Sequence, residues 1–273
     1  YHENGTLKRI YQMTDGLYHG EFKEFYPNGS LQFVHIYENG QVVDSSIHYR
    51  EDKSIEFIDY HKDSINYLRR FFDKENRVII EGNAIENLTL GEWKYFDEEG
   101  RLEIIREYKI IDGEEHLNQV RYYEPDGKIK LGVGSHFIYN IAEDTITLRN
   151  PIKLTMNLLS DRIRDGISQV KVVIPKTRYS YFNVDFSNFD EIDTQTIDNL
   201  NVNLDYRKQL GVDDGEDLRY MVAFGRYFDK PGENNLRGIL VEYYDEEIAS
   251  DSVVRREHKY YFDIPVYVKD TIE

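Results

Sequence analysis

The sequence predicts an all-β protein, with an elongated antiparallel sheet of hairpin repeats over residues 1–130 and a β-sandwich-like domain over residues 131–273. Three observations predict it. A unit of about 24 residues recurs through the first half. Asn-Gly and Asp-Gly dipeptides, which take up positive φ at low cost, punctuate runs rich in Tyr, Phe, Ile and Val. The second half alternates apolar and polar residues with a period of two.

The repeat is clearest where Gly16 to Gly29 is echoed by Asn87 to Gly100. Weaker copies run from Gly40 to Lys53, Asp63 to Asn76 and Gly113 to Gly127. One turn position falls at Gly5, Gly29, Lys53, Asn76, Gly100 and Gly127, giving spacings of 24, 24, 23, 24 and 27. An aromatic residue stands four before that position in every copy after the first: Phe25, Tyr49, Phe72, Phe96 and Tyr123. An aliphatic residue stands two after it, from Leu7 and Leu31 to Leu102 and Ile129. A unit of this length holds two strands of roughly seven to ten residues and two turns. One hairpin cannot bury its own apolar face, so neighbouring hairpins must pair edge to edge. The copy at Asp63–Asn76 lacks glycine, and that at Gly40–Lys53 keeps only its first, which predicts bent or bulged strands there. The exposed edges of such a sheet must be capped, charged or paired.

The pattern of Gly16, Gly20, Glu21, Phe22, Lys23, Phe25, Tyr26, Asn28 and Gly29 resembles MORN-type repeats. It is most similar to the bacterial MORN-repeat variant, often labelled antitoxin-like. The resemblance covers about residues 1–130, with Asn87 and Trp93 replacing Gly16 and Phe22 in the second good copy. It implies an elongated antiparallel sheet and a binding or scaffolding role towards protein or lipid.

The repeat stops after Gly127, and Lys128 to Gly134 reads as a junction. Beyond it, Ile152, Leu154, Met156 and Leu158 share one face of a strand. So do Val170, Val172 and Ile174, and so do Tyr260, Phe262, Ile264, Val266 and Val268. Leu200, Val202, Leu204 and Tyr206 alternate with asparagines and Asp205 and read as a further strand. Tyr220–Phe228 and Leu236–Tyr244 flank Asp229–Asn234, which reads as a hairpin connection. About eight strands result, best buried as two facing sheets. A short helix is expected near Asp161–Gly166 or Tyr206–Leu210. The stretch Pro231–Gly238 is loosely similar to accessory domains of envelope proteins in Bacteroidetes-type bacteria.

Motifs that carry chemistry are scarce. Without cysteine there is no disulfide, zinc–thiolate site or thiol nucleophile. No HExxH, GxSxG, P-loop or GxGxxG occurs, so no catalytic residue and no cofactor are assigned. The eight histidines read as surface or hairpin polar residues. Two acidic loops supply oxygens of the kind calcium takes, with Asp185 and Asp190 in one and Asp213, Asp214 and Asp217 in the other. Neither has EF-hand spacing, and solvated turns explain both. Trp93, the sole tryptophan, fills the position of Phe22 and reads as a packing residue.

The formal charge of −17 divides almost equally between the halves. It gives nucleic acid and anionic membrane surfaces no electrostatic attraction. The expectation is therefore a non-enzymatic, protein-binding scaffold of the cell envelope, periplasmic or surface-exposed, with the cytoplasm as the alternative compartment. A lipid anchor upstream of Tyr1 would fit that placement. The alternatives are an enzyme or small-ligand protein with its site in the second half, suggested by Arg178, Tyr179, Tyr181 and Asp185, and a toxin-neutralising partner.

Overall fold

The computed structural model describes residues 1–159, 163, 167–213, 215–249 and 252–270. The chain divides into two compact units, Tyr1–Ile110 with Tyr122–Ile129, and Ile111–Arg121 with Lys130–Glu273.

The first unit holds β1 (Arg9–Ile10), a small hairpin of β2 (Met13–Thr14) and β3 (Leu17–Tyr18), then β4 (Gly20–Phe25), β5 (Leu31–Glu38), β6 (Gln41–Tyr49), β7 (Ile55–His61), β8 (Asn66–Phe72), β9 (Val78–Ile85), β10 (Leu88–Phe96) and β11 (Leu102–Ile111). Apart from β2 and β3, these pair antiparallel in chain order. That is the hairpin meander the repeat predicts.

The turns show why the copies without glycine still fold alike. In each copy the backbone N–H at the turn position bonds the carbonyl three residues earlier, as Gly29 does to Tyr26, Lys53 to Arg50, Asn76 to Asp73 and Gly100 to Asp97. The turn residue is left-handed whatever its identity: φ is 84° at Gly29, 75° at Lys53 and 60° at Asn76. For Lys53 that conformation costs on the order of 1–2 kcal/mol. The surrounding hydrogen bonds enforce it: Asp52 accepts from the Ser54 amide at 3.0 Å and hydroxyl at 2.6 Å. Led by the hydroxyl, these bonds lower the Asp52 carboxyl to about 2. Irregular strands at residues 40–76 are therefore not a peculiarity of the degenerate copies. The same register shift recurs just before the turn in good and degenerate copies alike, at Glu24/Phe25, His48/Tyr49, Phe71/Phe72 and Tyr95/Phe96.

Successive turns are also tied to one another. The residue three before the turn position donates to a carbonyl of the next copy: His2 faces the Phe25 carbonyl at 2.7 Å, Tyr26 donates to Tyr49 at 2.8 Å, and Arg50 to Phe72 at 2.6 Å. Further along, Asp73 replaces that donor, and Arg77 carries the link to Glu98 at 2.9 Å.

The second unit contains most of β12 (Glu114–Tyr122), then β13 (Phe137–Ile141), β14 (Thr145–Thr147), β15 (Ile152–Leu158), β16 (Gln169–Pro175), β17 (Thr194–Asp198), the helix α1 (Leu204–Gln209), β18 (Met221–Arg226), β19 (Gly232–Ala249) and β20 (Ser252–Lys269). One sheet runs β13-β15-β18 and the other β14-β20-β19-β16-β17. Their inner faces share one core, in which the alternating sets at Ile152–Leu158, Val170–Ile174 and Tyr260–Val268 are all buried. In β12 the buried Asn118 amide mimics a strand residue, donating to the Tyr261 carbonyl at 3.0 Å and accepting from its N–H at 2.7 Å.

Two sequence expectations fail here. Leu200–Tyr206 is not a strand: after Leu200 the chain turns and enters α1, which meets the expectation of a helix near Tyr206–Leu210. The asparagines explain the failure, because they bond locally rather than along a ladder. Asn199 donates to the Val170 carbonyl, Asn201 accepts from Arg207, and Asn203 accepts from the Tyr206 N–H. Secondly, β18 and β19 form no hairpin. Residues 227–231 carry the chain from one sheet to the other, and Asn234 holds the crossing through the carbonyls of Lys230 and Gly232. The other expected helix, Asp161–Gly166, lies outside the described residues apart from Ile163.

Candidate functional site: a polar row across the hairpin sheet

Facing residues on successive strands of the first unit form a row. Phe22 pairs with His35, His35 with Ser46, Ser46 with Asp59, Asp59 with Arg69, and Arg69 with Gly82. Trp93 lies over Gly82 and pairs with Arg106. Each strand supplies one member because the repeat phase places two equivalent positions on one face. The aromatic members Phe22 and Trp93 are what the repeat pattern leads one to expect. Its centre is polar, because the degenerate copies put Ser46 and Arg69 where Phe22 and Trp93 stand.

The polar centre is closely partnered. Ser46 Oγ lies 2.6 Å from His35 Nδ1 and 2.9 Å from His61 Nε2, linking β5, β6 and β7. Its single proton serves one ring, and it accepts from the other. Arg69 donates to both carboxylate oxygens of Asp59, at 2.7 and 2.8 Å. The same guanidinium lies 4.4 Å from the Phe57 ring centre, 5.2 Å from Tyr67 and 5.9 Å from Phe71. Beside them His48 stacks on Phe57 at 4.1 Å. A hydroxyl against an imidazole is the pairing of an activated nucleophile. Ser46, however, is only 1% exposed, so no substrate carbonyl can reach it, and the group serves to cross-link strands.

Burial is the first cause that holds His35, His48 and His61 below the usual histidine range, and it takes His48 to about 4. The charge of a neighbouring histidine adds to this at His35 and His48, Arg69 adds to it at His48 and His61, and Asp59 opposes it at all three. A histidine whose folded pKa is depressed takes up its proton first in the unfolded chain. Its contribution is therefore intact above the unfolded value of about 6.5 and is lost as pH falls towards the folded one. The sheet is expected to lose about 2 kcal/mol through His48 between about pH 6.5 and 4, allowing for partial exposure. Comparing melting temperature against pH for the native protein and His48→Phe checks this. Equal slopes in that window would show that His48 titrates freely.

The acidic-loop residues are engaged elsewhere. Asp185 accepts from the amide and hydroxyl of Ser187, the hydroxyl being the first cause of its lowered pKa. Asp190 sits in an exposed 3-10 turn, Phe189–Glu191. The Asp213 carbonyl accepts from Arg207. Asp217 is paired with Arg219 at 2.8 Å and accepts from Asn201 at 2.9 Å. Asp214 lies outside the described residues. Among the described residues, no group of three or more His, Asp or Glu side chains is placed to hold a metal ion. Nor do the histidines keep to the surface: His35 belongs to the row, His48 and His61 lie beside it, and His136 is fully buried in the second unit. Aligning the copies on their turns would have revealed the row. His35 and Asp59 then occupy one repeat position, and Ser46 and Arg69 another.

The first unit is thus a hairpin-repeat sheet whose equivalent positions form side-chain rows. The MORN repeat variant family matches the chain at residues 18–39 and 90–109, overlapping the two copies that keep the glycines and the large aromatic. MORN repeats generally mediate protein or membrane interactions. No curated protein matches the chain.

Proposed function

We propose that this is a non-catalytic interaction protein of the cell envelope that binds a protein partner through its repeat sheet. The observation that carries the reading is the repetition of one side-chain row over successive hairpins. On the face opposite the polar row, Tyr60, Leu68, Asn83 and Leu90 face one another on β7 to β10, with Tyr60 and Leu90 37% and 36% exposed. The apolar Tyr60, Leu68 and Leu90 held in fixed register around Asn83 suit a protein surface, and the net charge of −17 favours that over an anionic membrane. The location draws only on the loose resemblance of Pro231–Gly238 to envelope accessory domains noted in the sequence.

The test is affinity capture from an envelope extract with the native protein and with Tyr60→Glu/Leu90→Glu. One protein enriched by the native form, and reduced at least about tenfold by the folded double variant, is expected. Equal recovery by both forms would remove this face from the reading. Fractionation of cells producing the full-length protein tests the location.

A further inference from the structure

The second unit carries a cleft that goes beyond the interaction role proposed above. Its volume is about 710 Å³, within the usual range for small-ligand sites. Its floor is the outer face of β19 and β20, where Glu233 pairs with Tyr267, Asn235 with Pro265, and Arg237 with Asp263. Further along the same face, Phe182 and Phe186 cover Ile239, Val241 and Tyr261. Where that cover ends the face is open, and Tyr181 lines the cleft there.

The polar groups in the cleft are held in place. Arg237 donates to Asp263 at 2.9 Å and to the Phe182 carbonyl at 3.1 Å. With the Asn235 amide oriented so that its oxygen faces Arg237, that oxygen accepts from Arg237 at 3.0 Å and the amide nitrogen donates to the Asn234 carbonyl at 3.2 Å. Tyr181 is fixed by its hydroxyl, which donates to Asp229. Tyr267, 49% exposed, offers an aromatic surface beside Glu233 and Thr145.

We infer that this cleft binds a neutral saccharide. The carboxylates of Glu233 and Asp144 oppose an anionic ligand, and the Arg237 guanidinium is neutralised by Asp263, so the cleft offers paired and neutral hydrogen-bonding groups around an aromatic ring. Planar carboxylate, amide and guanidinium groups can each engage two neighbouring hydroxyls of a polyol. The Tyr267 ring can lie against the apolar face of a sugar ring while the polar groups take its rim. Because Asn235 and Arg237 are already ordered by their own hydrogen bonds, little further ordering is required on binding.

The experiment is titration calorimetry of the full chain with hexasaccharides of cellulose, xylan, mannan, laminarin and chitin. Spermine and a heparin hexasaccharide serve as cationic and anionic probes. At least one neutral hexasaccharide is expected to bind at about millimolar concentration or below, weakened about tenfold or more by Tyr267→Ala and by Asn235→Ala. Circular dichroism confirms the fold of each variant, and Asn235→Ala decides alone if Tyr267→Ala unfolds. The inference is overturned if no neutral hexasaccharide binds, if only spermine or heparin does, or if binding survives both substitutions. None of these outcomes bears on the repeat sheet, whose own test stands apart.

Discussion

Asp59→Ala is expected to destabilise the hairpin sheet by about 3 kcal/mol. Asp59 is 5% exposed and takes both bonds of the Arg69 fork. Removing it leaves a guanidinium among Phe57, Tyr67 and Phe71 with its countercharge gone. The aromatic faces offset part of that loss, at about 0.5–1 kcal/mol for a good contact. The cost therefore comes mainly from an uncompensated charge rather than from the missing attraction. A second variant separates the two. Asp59→Leu/Arg69→Met removes both charges and should recover most of the stability, because replacing a shielded ion pair by apolar groups of similar volume is often neutral. Trp93 emission in urea is the readout, since the only tryptophan lies in this unit. A loss below about 1 kcal/mol for Asp59→Ala would mean that water reaches Arg69 freely.

Gly82→Ala is expected to cost about 3 kcal/mol, through contact rather than conformation. A Cβ on Gly82 would lie 2.3 Å from Trp93 Cδ2 and 2.4 Å from Cγ. These atoms are at the root of the indole, so the ring cannot relieve the clash by bending its far end. It is tethered as well, with Nε1 donating to the Asn83 carbonyl at 2.9 Å. The variant should melt lower and show red-shifted emission as the indole is pushed towards water. Combining it with Trp93→Ala tests the mechanism by circular dichroism. The two losses should overlap strongly, because once the ring is gone the methyl group has space. Additive losses would point to a backbone origin instead.

The hairpin array and its turns were legible in the sequence because each turn is specified locally. Asn39 and Gly40, both at positive φ, are one example. The sandwich strands were legible where apolar residues alternate with polar ones that seek solvent. Legibility ended where side chains replace backbone partners. Asn199, Asn201 and Asn203 produced a strand-like alternation and then bonded across a turn instead. The crossing after β18 looked like a hairpin because composition marks a loop but not which sheet its ends join. The polar row was hidden for a different reason. Its members are distant in the chain, and each alone has the chemistry of an ordinary surface residue. Only their register makes Asp59 meet Arg69 and Ser46 meet two histidines.

The row and the turn ladder together constrain how this protein can change length. Phe22 and His35, Ser46 and Asp59, Arg69 and Gly82, and Trp93 and Arg106 are all thirteen residues apart. The 23-residue spacing between Lys53 and Asn76 takes up its difference on the other side of the unit, where β7 and β8 pair without the register shift that β5–β6 and β9–β10 carry. Insertion or deletion of one residue inside the thirteen would turn every later side chain to the opposite face and misalign the carbonyls that His2, Tyr26 and Arg50 reach. Lineages of this sheet should therefore grow or shrink by whole hairpin pairs, with small length differences confined to the connections between Glu38 and Gln41, His61 and Asn66, or Ile85 and Leu88.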